Sequence, residues 1–227
     1  MKLEKRFHEN VYYYTEVFDN PKKLLDIVEE LENYSSSYPA ISEWKQDFSQ
    51  RLRKDLFPPA LDQLEGEIKE KAEYVISAMQ KAVHDVSYAF VQDRNLDIEP
   101  NISPMLDLCK YEPGGAIGMH FDGQDGDRSL LYTIVMYFND EQEGGEVSFS
   151  IADETKQRPS QDLDDPNIDF WVKPKPGSAL IFPSTYPYLH QSHPIRSGNK
   201  YMSTSFIFIE GYDCFNHEHI KKYRTNA

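Results

Sequence analysis

Three stretches between Tyr111 and Lys200 decide the fold of this 227-residue chain. The first is YEPGGAIGMHFD, residues 111–122, and the second is the pair SLLYTIVMYFND (129–140) and EGGEVSF (143–149). The third is PKPGSALIFPSTYPYLHQSHPIRSGNK, residues 174–200. The second stretch is rich in β-branched and aromatic residues, and Gly-Gly, Pro-Gly and Ser-Gly turns punctuate the three. They therefore predict short antiparallel strands of a sandwich or barrel.

The first hundred residues follow a helical period instead. Asn20-Pro21 has the form of an N-cap followed by proline at the first helical position, and the apolar spacing behind it predicts a helix. A second helix is predicted over residues 42–57, and a third, the longest, from Ala60 to about Asp93. The alternating run at residues 7–18 predicts an edge strand.

Amphipathic helices need an apolar partner, so the sequence predicts a single domain over residues 1–227. Within it, residues 1–99 form a mainly helical support, 100–212 form the β-core and 213–227 form a C-terminal tail. The long polar segment 152–169 is predicted to be a functional lid or a disordered loop. We expect this segment, with the glycine-rich stretch that follows Asp122, to be the most mobile part near the core and to order when a substrate binds.

Composition excludes several classes of partner. The chain holds 24 Lys and Arg against 38 Asp and Glu, which gives a net charge of −14. Nucleic acids and anionic membranes need a basic surface, so binding to either is disfavoured. The sequence shows no apolar leader and no long apolar run, which predicts a cytoplasmic protein. Its two cysteines, Cys109 and Cys214, do not have the spacing of a disulfide framework.

The candidate chemistry lies in an H-x-D pattern and a distant histidine. His120 and Asp122 are separated by one residue, so on a strand both side chains lie on the same face. Together with His190 they offer two imidazoles and one carboxylate, the ligand set that binds non-haem Fe(II) as a facial triad. Taken singly, each histidine is more often a core residue. His193 competes with His190 for the third place, and His190 is preferred because it ends the strand-like run.

From Tyr111 to Phe208 the chain resembles the Fe(II)/2-oxoglutarate-dependent dioxygenases, specifically the prolyl 4-hydroxylase-like group. The motifs that carry this resemblance are Y-x-x-G-G ahead of H-x-D, Y-T-I-V-M-Y-F-N-D, E-G-G-E-V-S-F, P-K-P-G-S-A-L-I-F and H-Q-S-H-P-I-R-S-G-N-K. The resemblance implies an α+β architecture, in which N-terminal helices flank a double-stranded β-helix, a jelly-roll barrel related to the cupins.

The resemblance also implies roles for single residues. His120, Asp122 and His190 resemble the iron ligands and catalytic centre of the family. Lys200 resembles the basic residue that pairs with the distal carboxylate of 2-oxoglutarate, and a carboxylate inside an apolar barrel is costly unless it is paired. The other residues expected around 2-oxoglutarate are Tyr111, Tyr137, Thr133 and Thr204.

The reaction implied by the resemblance is hydroxylation of a C–H bond, coupled to oxidative decarboxylation of 2-oxoglutarate to succinate and CO₂. Its cofactors would be Fe(II), 2-oxoglutarate and O₂, with ascorbate as the reductant. The carboxylate of Asp122 favours hydroxylation over halogenation, because a halogenating relative would carry a small residue there. The implied substrate is proline in a peptide or protein, and the net charge favours neutral or basic peptides.

Substrate contacts are predicted from the aromatic and basic residues near the expected barrel mouth, which are Trp171, Arg128, Tyr186 and Tyr188. Two other functions stay open. One is a hydroxylase of the same superfamily that acts on a free amino acid or another small molecule, and the other is a catalytically silent jelly-roll binding module. Two weaker metal motifs are a calcium-loop fragment at 122–127 and the Cys214, His217 and His219 cluster, which lacks a second cysteine pair for zinc.

Overall fold

Strand β8 (Leu130–Tyr137) divides the core in two, because its side chains alternate between the two faces of a sheet. Ile134 and Met136 pack towards the helices, whereas Val135 and Tyr137 point into the space between two facing sheets. The computed structural model describes residues 1–31, 45–48, 51–56, 58–104, 106–123, 129–140, 142–153 and 155–214, without the side chains of 45–48, 53–56 and 58–60.

The larger sheet contains nine strands within the described residues. From one edge to the other their order is β1 (Lys2–His8), β2 (Val11–Thr15), β12 (Ser178–Pro183), β8, β15 (Lys200–Phe208), β6 (Leu106–Tyr111), β4 (Arg51–Leu56) and β3 (Lys45–Phe48), while β5 (Asn101–Ile102) pairs with β15. Every pairing in this sheet is antiparallel, as the sequence predicts.

The smaller sheet faces the larger one and has four strands within the described residues. Their order is β11 (Phe170–Val172), β10 (Val147–Ile151), β13 (Tyr188–Ser192) and β7 (Ile117–His120), and a separate two-stranded ribbon is formed by β9 (Glu143–Gly144) and β14 (Ile195–Ser197). Inward-facing side chains of both sheets form one apolar cluster, which includes Tyr137, Phe149, Phe182 and Met202. The double-stranded β-helix predicted from the sequence is therefore confirmed.

Two described α-helices, α1 (Pro21–Leu31) and α2 (Gly66–Asp93), cover the outer face of the larger sheet. The side-chain oxygen of Asn20 accepts a hydrogen bond from the backbone N–H of Lys23 at 3.0 Å, so the predicted N-cap is present. Helix α2 contributes Val83, Val86 and Phe90 to the apolar cluster beneath it. Neither helix is both long enough and apolar enough to span a membrane.

The N-terminal half holds more strand than the sequence predicts. In place of the helix predicted at 42–57, the described residues form the hairpin β3–β4, and β4 pairs with β6 along its whole length. The edge-strand prediction at 7–18 is also incomplete, since β1 and β2 form a hairpin in which β2 lies inside the sheet. The physical reason is the same at both ends of the sheet. Pairing with a distant strand satisfies backbone donors and acceptors and overrides a weak local helical preference.

The long third helix begins later than predicted. Residues Pro58–Gln63 form a short 3₁₀ helix, and α2 starts only at Gly66. Gly66 has a backbone φ of 59°, which lies in the left-handed region that interrupts a right-handed helix.

Packing of α2 on the sheet can be tested at Phe90, which is fully buried. Its ring makes edge contacts with Tyr12 at 5.1 Å and Tyr132 at 4.8 Å, measured between ring centroids. Phe90→Ala should lower the free energy of unfolding by about 3–5 kcal/mol, because it leaves a cavity between helix and sheet. Tyr74→Ala on the same helix should cost less than about 1 kcal/mol, since that side chain is exposed. Chemical denaturation of both variants checks this, and equal losses would contradict the described packing.

Candidate active site

Strand register brings the two candidate histidines together. Strand β7 pairs with β13, and in this ladder His120 lies directly opposite His190. The centroids of their rings are 4.3 Å apart. Asp122 follows β7 by two residues, and the N–H of Gly123 fixes this turn by donating to the carbonyl of Ser184 at 2.8 Å. Within the described chain, His120, Asp122 and His190 are the one cluster whose side chains could hold a metal ion together, with ligand atoms within 4.8 Å of one another.

The carboxylate of Asp122 lies between the two imidazoles. One oxygen is 3.5 Å from Nε2 of His120 and the other is 3.4 Å from Nε2 of His190. The hydroxyl of Thr133 on β8 donates to the second oxygen at 2.6 Å, and Ser184 lies 2.8 Å from that hydroxyl. Thr133 on the larger sheet thus orients Asp122, which follows a strand of the smaller sheet. Hydrogen bonds of this kind commonly orient the side chains that bind a metal.

Backbone carbonyls set the tautomer of both histidines. Nδ1 of His120 lies 2.8 Å from the carbonyl of Gly118, and Nδ1 of His190 lies 3.4 Å from the carbonyl of Tyr188. A carbonyl only accepts, so in each ring Nδ1 carries a proton, and in the neutral form Nε2 has the lone pair. Both Nε2 atoms point towards the carboxylate of Asp122, so the neutral rings would present their lone pairs to a divalent metal.

Charge states at this cluster also suit a metal ion. Burial lowers the pKa of His190 to about 4, in spite of the nearby carboxylate of Asp122, so this imidazole is neutral at pH 7. Burial alone would raise the pKa of Asp122, but the neighbouring histidines and the hydroxyl of Thr133 lower it to about 2. The cluster therefore presents an ionised carboxylate beside the neutral imidazole of His190, and both are metal-binding forms. Burial alone would lower the pKa of His120, but the carboxylate of Asp122 and the carbonyl of Gly118 raise it, so a metal ion that binds His120 competes with a proton.

A cavity of about 420 Å³ opens from this cluster into the barrel. Its buried end holds Lys200, Tyr111 and Tyr137, and all three side chains are essentially inaccessible to solvent. Strand pairing explains their meeting, because Tyr111 on β6 lies opposite Lys200 on β15. The cavity is large enough for a small dicarboxylate next to a metal ion.

The ammonium group of Lys200 has few partners for a buried cation. It donates to the carbonyl of Gly145 at 2.7 Å and to the hydroxyl of Ser192 at 3.0 Å, and it lies 5.6 Å and 5.4 Å from the ring centroids of Tyr111 and Tyr137. Burial lowers the pKa of Lys200 to about 7, although nearby Glu146 opposes the shift. A bound anion would remove the cost of this desolvated charge.

Gly145 makes room for Lys200. Its φ is 71°, and a Cβ atom there would lie 2.4 Å from a methyl carbon of Ile195 and 3.0 Å from Cδ of Lys200. The second glycine of the E-G-G-E motif therefore lets the backbone approach the lysine closely enough to accept its hydrogen bond.

The hydroxyl of Tyr137 fits a cosubstrate as well. It is buried and has no hydrogen-bond partner in the part of the chain that the structure describes. Burial raises its pKa well above the usual value, so it is a neutral donor at pH 7. A carboxylate or carbonyl oxygen of a ligand would satisfy this donor. Thr204 lines the same cavity, and its backbone N–H donates to Asp107 at 2.8 Å.

Sequence reasoning missed Arg51, which also lines the cavity. Arg51 lies opposite Tyr111 in the β4–β6 ladder and donates to the hydroxyl of Tyr111 at 3.4 Å. Residues 42–57 were predicted to form a helix, and only the pairing of β4 with β6 directs the side chain of Arg51 into the barrel. Residues 51–56, R-L-R-K-D-L, offer only a weak strand signal, because Lys54 interrupts the alternation of charged residues with leucine.

The predicted substrate residues are scattered. Trp171 on β11 and Tyr186 after β12 are exposed, but neither lines a described cavity, although Tyr186 lies 6.1 Å from the ring of Phe121. Tyr188 is buried and contacts Asn10 and His8 at the N-terminal hairpin.

Arg128 lies outside the described residues. So do most of the calcium-loop fragment, at 124–127, and the histidines His217 and His219 near the C-terminus. Cys214 itself is described and buried.

His193, the rival of His190, has both ring nitrogens occupied elsewhere. Its Nε2 lies 2.7 Å from the hydroxyl of Ser148 and its Nδ1 lies 3.1 Å from the carbonyl of Gln161. His193 therefore ties segment 152–169 to the smaller sheet. Gln191 adds to this link, because its amide donates to the carbonyl of Ser160 at 2.7 Å.

Comparisons with known proteins agree with this geometry. Residues 106–208 match the family described as the 2OG-Fe(II) oxygenase superfamily. No curated protein sequence matches the chain. Solved structures do match, and a prolyl-4-hydroxylase of Pseudomonas putida superposes with a TM-score of 0.57 at 16% sequence identity, over 89% of this chain and 94% of that one.

Two further structures have a similar fold. A prolyl hydroxylase of Trichoplax adhaerens, solved with a peptide fragment of the hypoxia inducible factor oxygen degradation domain, has a TM-score of 0.59 at 16% identity, over 96% of this chain and 87% of that one. The viral collagen prolyl hydroxylase of Paramecium Bursaria Chlorella virus-1, solved as a 2OG complex, has a TM-score of 0.52 at 17% identity, over 88% of this chain and 95% of that one. At such identities the likeness shows the fold.

His190 and His193 form a matched pair for testing the metal site, because both are buried and only His190 is a candidate ligand. His190→Ala should weaken binding of Fe(II), or of Co(II) as its spectroscopic substitute, by at least about 100-fold, because a lost ligand costs more than a lost outer partner. His193→Ala removes an equally buried imidazole and should keep the metal affinity of the parent protein. Anaerobic titration followed by absorption checks both. Native affinity in His190→Ala would remove His190 from the ligand set.

The family match and the site coincide along the chain. The matched segment, residues 106–208, contains the His120, Asp122 and His190 cluster as well as buried Lys200. The surrounding fold is that of solved prolyl hydroxylases. Residues 106–208 thus match the 2OG-Fe(II) oxygenase superfamily, and they lie in a fold similar to that of solved prolyl hydroxylases.

Proposed function

We propose that this protein is an Fe(II)- and 2-oxoglutarate-dependent hydroxylase that acts on proline within a peptide or protein. One observation carries the proposal. A single cavity joins a cluster of His120, Asp122 and His190 at its open end to a buried, weakly partnered cation, Lys200, at its closed end. This is the arrangement required to bind a metal and a dicarboxylate side by side.

His120 and His190 would hold the metal through their Nε2 atoms, and Asp122 would hold it through a carboxylate oxygen. Three protein ligands on one face leave the remaining positions open towards the cavity. Fe(II), when bound with 2-oxoglutarate and O₂, supplies the oxidation that converts a C–H bond to an alcohol. The chain itself fixes the ligands, since carbonyls of Gly118 and Tyr188 orient the imidazoles and Thr133 orients the carboxylate.

The closed end of the cavity would receive the distal carboxylate of 2-oxoglutarate. Lys200 supplies a positive charge there, and Tyr137 supplies a neutral O–H donor that has no partner within the described chain. The walls between them and the metal cluster include Val135, Phe182 and Met202. These apolar side chains exclude water, which strengthens every charged contact inside.

A substrate longer than a single amino acid fits the surface around the metal cluster. A second cavity, of about 520 Å³, shares His120 and Phe121 with the first. An extended chain that enters one cavity at the metal could therefore continue into the other. The solved relatives of similar fold include a prolyl hydroxylase in complex with a peptide, and a polyproline II segment is preformed for a groove of this kind.

Arg51 favours a second candidate function, hydroxylation of a free amino acid or another small carboxylate. Its guanidinium lines the same cavity as Lys200 and reaches the hydroxyl of Tyr111. A second cation in this cavity is suited to a second carboxylate, such as the one on a free amino acid. The substrate assay described below separates this candidate from the first.

The depressed pKa of Lys200 predicts a pH dependence of cosubstrate binding. With a pKa of about 7, the group is an ammonium below pH 7 and loses its charge as the pH rises. A carboxylate binds the ammonium form, so the Kd for 2-oxoglutarate should rise up to about tenfold for each pH unit above 7. Lys200→Arg keeps its charge over this range and should give a flat profile.

Anaerobic calorimetry with saturating metal, from about pH 6 to pH 9, measures this dependence. Lys200→Met should lose about 2–5 kcal/mol of binding free energy at pH 6, because a buried carboxylate loses its partner. Unchanged affinity in Lys200→Met would place the dicarboxylate elsewhere.

The substrate assay combines the protein with Fe(II), 2-oxoglutarate, ascorbate and a panel of proline-rich peptides. We expect a gain of one oxygen on proline, with one succinate released per product. Peptides with alanine in place of proline should stay unmodified, and Asp122→Ala should abolish product while it retains the fold by circular dichroism. Oxidation of a free amino acid with every peptide unmodified would select the second candidate. Absence of succinate with all substrates would indicate a silent binding module.

A further inference from the structure

Arg158 is a cation beside the metal cluster that the proposed function does not use. It lies in segment 152–169 and lines the second cavity together with Lys156 and Asp153. The opposite wall of this cavity contains His120 and Phe121. The guanidinium of Arg158 donates to the carbonyl of Met119, the residue before His120. A group bound at Arg158 would therefore lie next to a metal ligand.

The other charges of this cavity are already engaged. The ammonium of Lys156 lies 2.7 Å and 2.5 Å from the two oxygens of Asp169. One carboxylate oxygen of Asp153 accepts the backbone N–H groups of Thr155 and Lys156. Arg158 differs, because its only described hydrogen bond goes to a neutral carbonyl and no described carboxylate lies within ion-pair distance. Most of its five N–H donors are available to a ligand.

The segment that carries Arg158 is hydrogen-bonded to the smaller sheet. Gln161 donates to the side-chain oxygen of Gln191 at 2.9 Å, and Gln191 donates to the carbonyl of Ser160 at 2.7 Å. Within the segment, the carboxylate of Asp165 accepts the N–H of Ser160 at 2.8 Å. These hydrogen bonds hold the backbone near Arg158 against the sheet, which reduces the conformational entropy lost when Arg158 binds a ligand.

We propose that Arg158 binds an acidic group of the peptide substrate close to the hydroxylated proline. This inference rests on the proposed function and adds a specificity determinant to it. The planar guanidinium can hold a carboxylate through two parallel hydrogen bonds, which a lysine or a neutral donor cannot reproduce. The net charge of −14 repels acidic peptides at a distance, but the contact at the site decides which sequence is selected.

The test compares matched proline peptides that carry Glu, Gln or Lys at each position flanking the proline. At one flanking position the parent protein should show a kcat/KM about tenfold higher for Glu than for Gln. Arg158→Glu should reverse this order and prefer the Lys peptide, while Arg158→Lys should keep a reduced preference for Glu. Ratios between peptides within one variant are compared, so a structural effect through Met119, which would change all rates together, does not affect the result.

Arg6→Glu is the matched control. Arg6 is also an exposed arginine that donates to a backbone carbonyl, that of Asp93, and its substitution changes the net charge equally. It lines neither cavity and should leave the peptide ratios unchanged. Peptide hydroxylation with equal Glu-to-Gln ratios in the parent and in Arg158→Glu would overturn this inference alone. Failure to hydroxylate any peptide would overturn the proposed function and this inference with it.

Discussion

The pairing of β7 with β13 is the constraint on which the site depends. It sets His120 opposite His190 and leaves Asp122 in the turn that follows, so one ladder determines the position of all three side chains. The larger sheet completes the arrangement through Thr133, whose hydroxyl orients the carboxylate. The two facing sheets therefore act together here, because the smaller sheet carries the candidate metal ligands and the larger sheet restrains the carboxylate among them.

The buried cation at the far end of the cavity shows how the fold prepares for a ligand. Lys200 is fully inaccessible, and the chain gives it a carbonyl, a hydroxyl and two aromatic faces but no close carboxylate among the described residues. A cation left this way costs free energy in the empty protein. The buried charge therefore lowers the stability of the empty barrel. An anion that binds beside Lys200 removes this penalty, which strengthens its binding.

Sequence patterns predicted the residues that lie on regular strands. The family motifs pointed to His120, His190 and Lys200, whose side chains strand alternation directs inward, whereas Asp122 lies in the turn after β7 and its position depends on that turn. The sequence did not predict strand β4, whose structure depends on pairing with the distant strand β6. Arg51 and Tyr111 are 60 positions apart, and local helical spacing carried no information about their pairing.

The hydrogen bond by which Thr133 orients the carboxylate of Asp122 was equally hard to predict from the sequence. Thr133 was expected to line the cosubstrate pocket, and the structure shows in addition that it holds the carboxylate of Asp122. A threonine on a strand most often packs, and only the positions of both sheets show which hydrogen bond it makes. Contacts between distant strands are set by tertiary packing, which a single sequence does not display.

The strict alternation of β8 limits how the length of this protein can change in evolution. Insertion of one residue in the middle of this strand would turn Tyr137 towards the helices and bring Met136 into the barrel. Such an insertion would disrupt the packing against the helices and the lining of the cavity at the same time. Homologues should therefore differ in length at the turns and in segment 152–169, where the surface can change without any change to the strands that carry the candidate site.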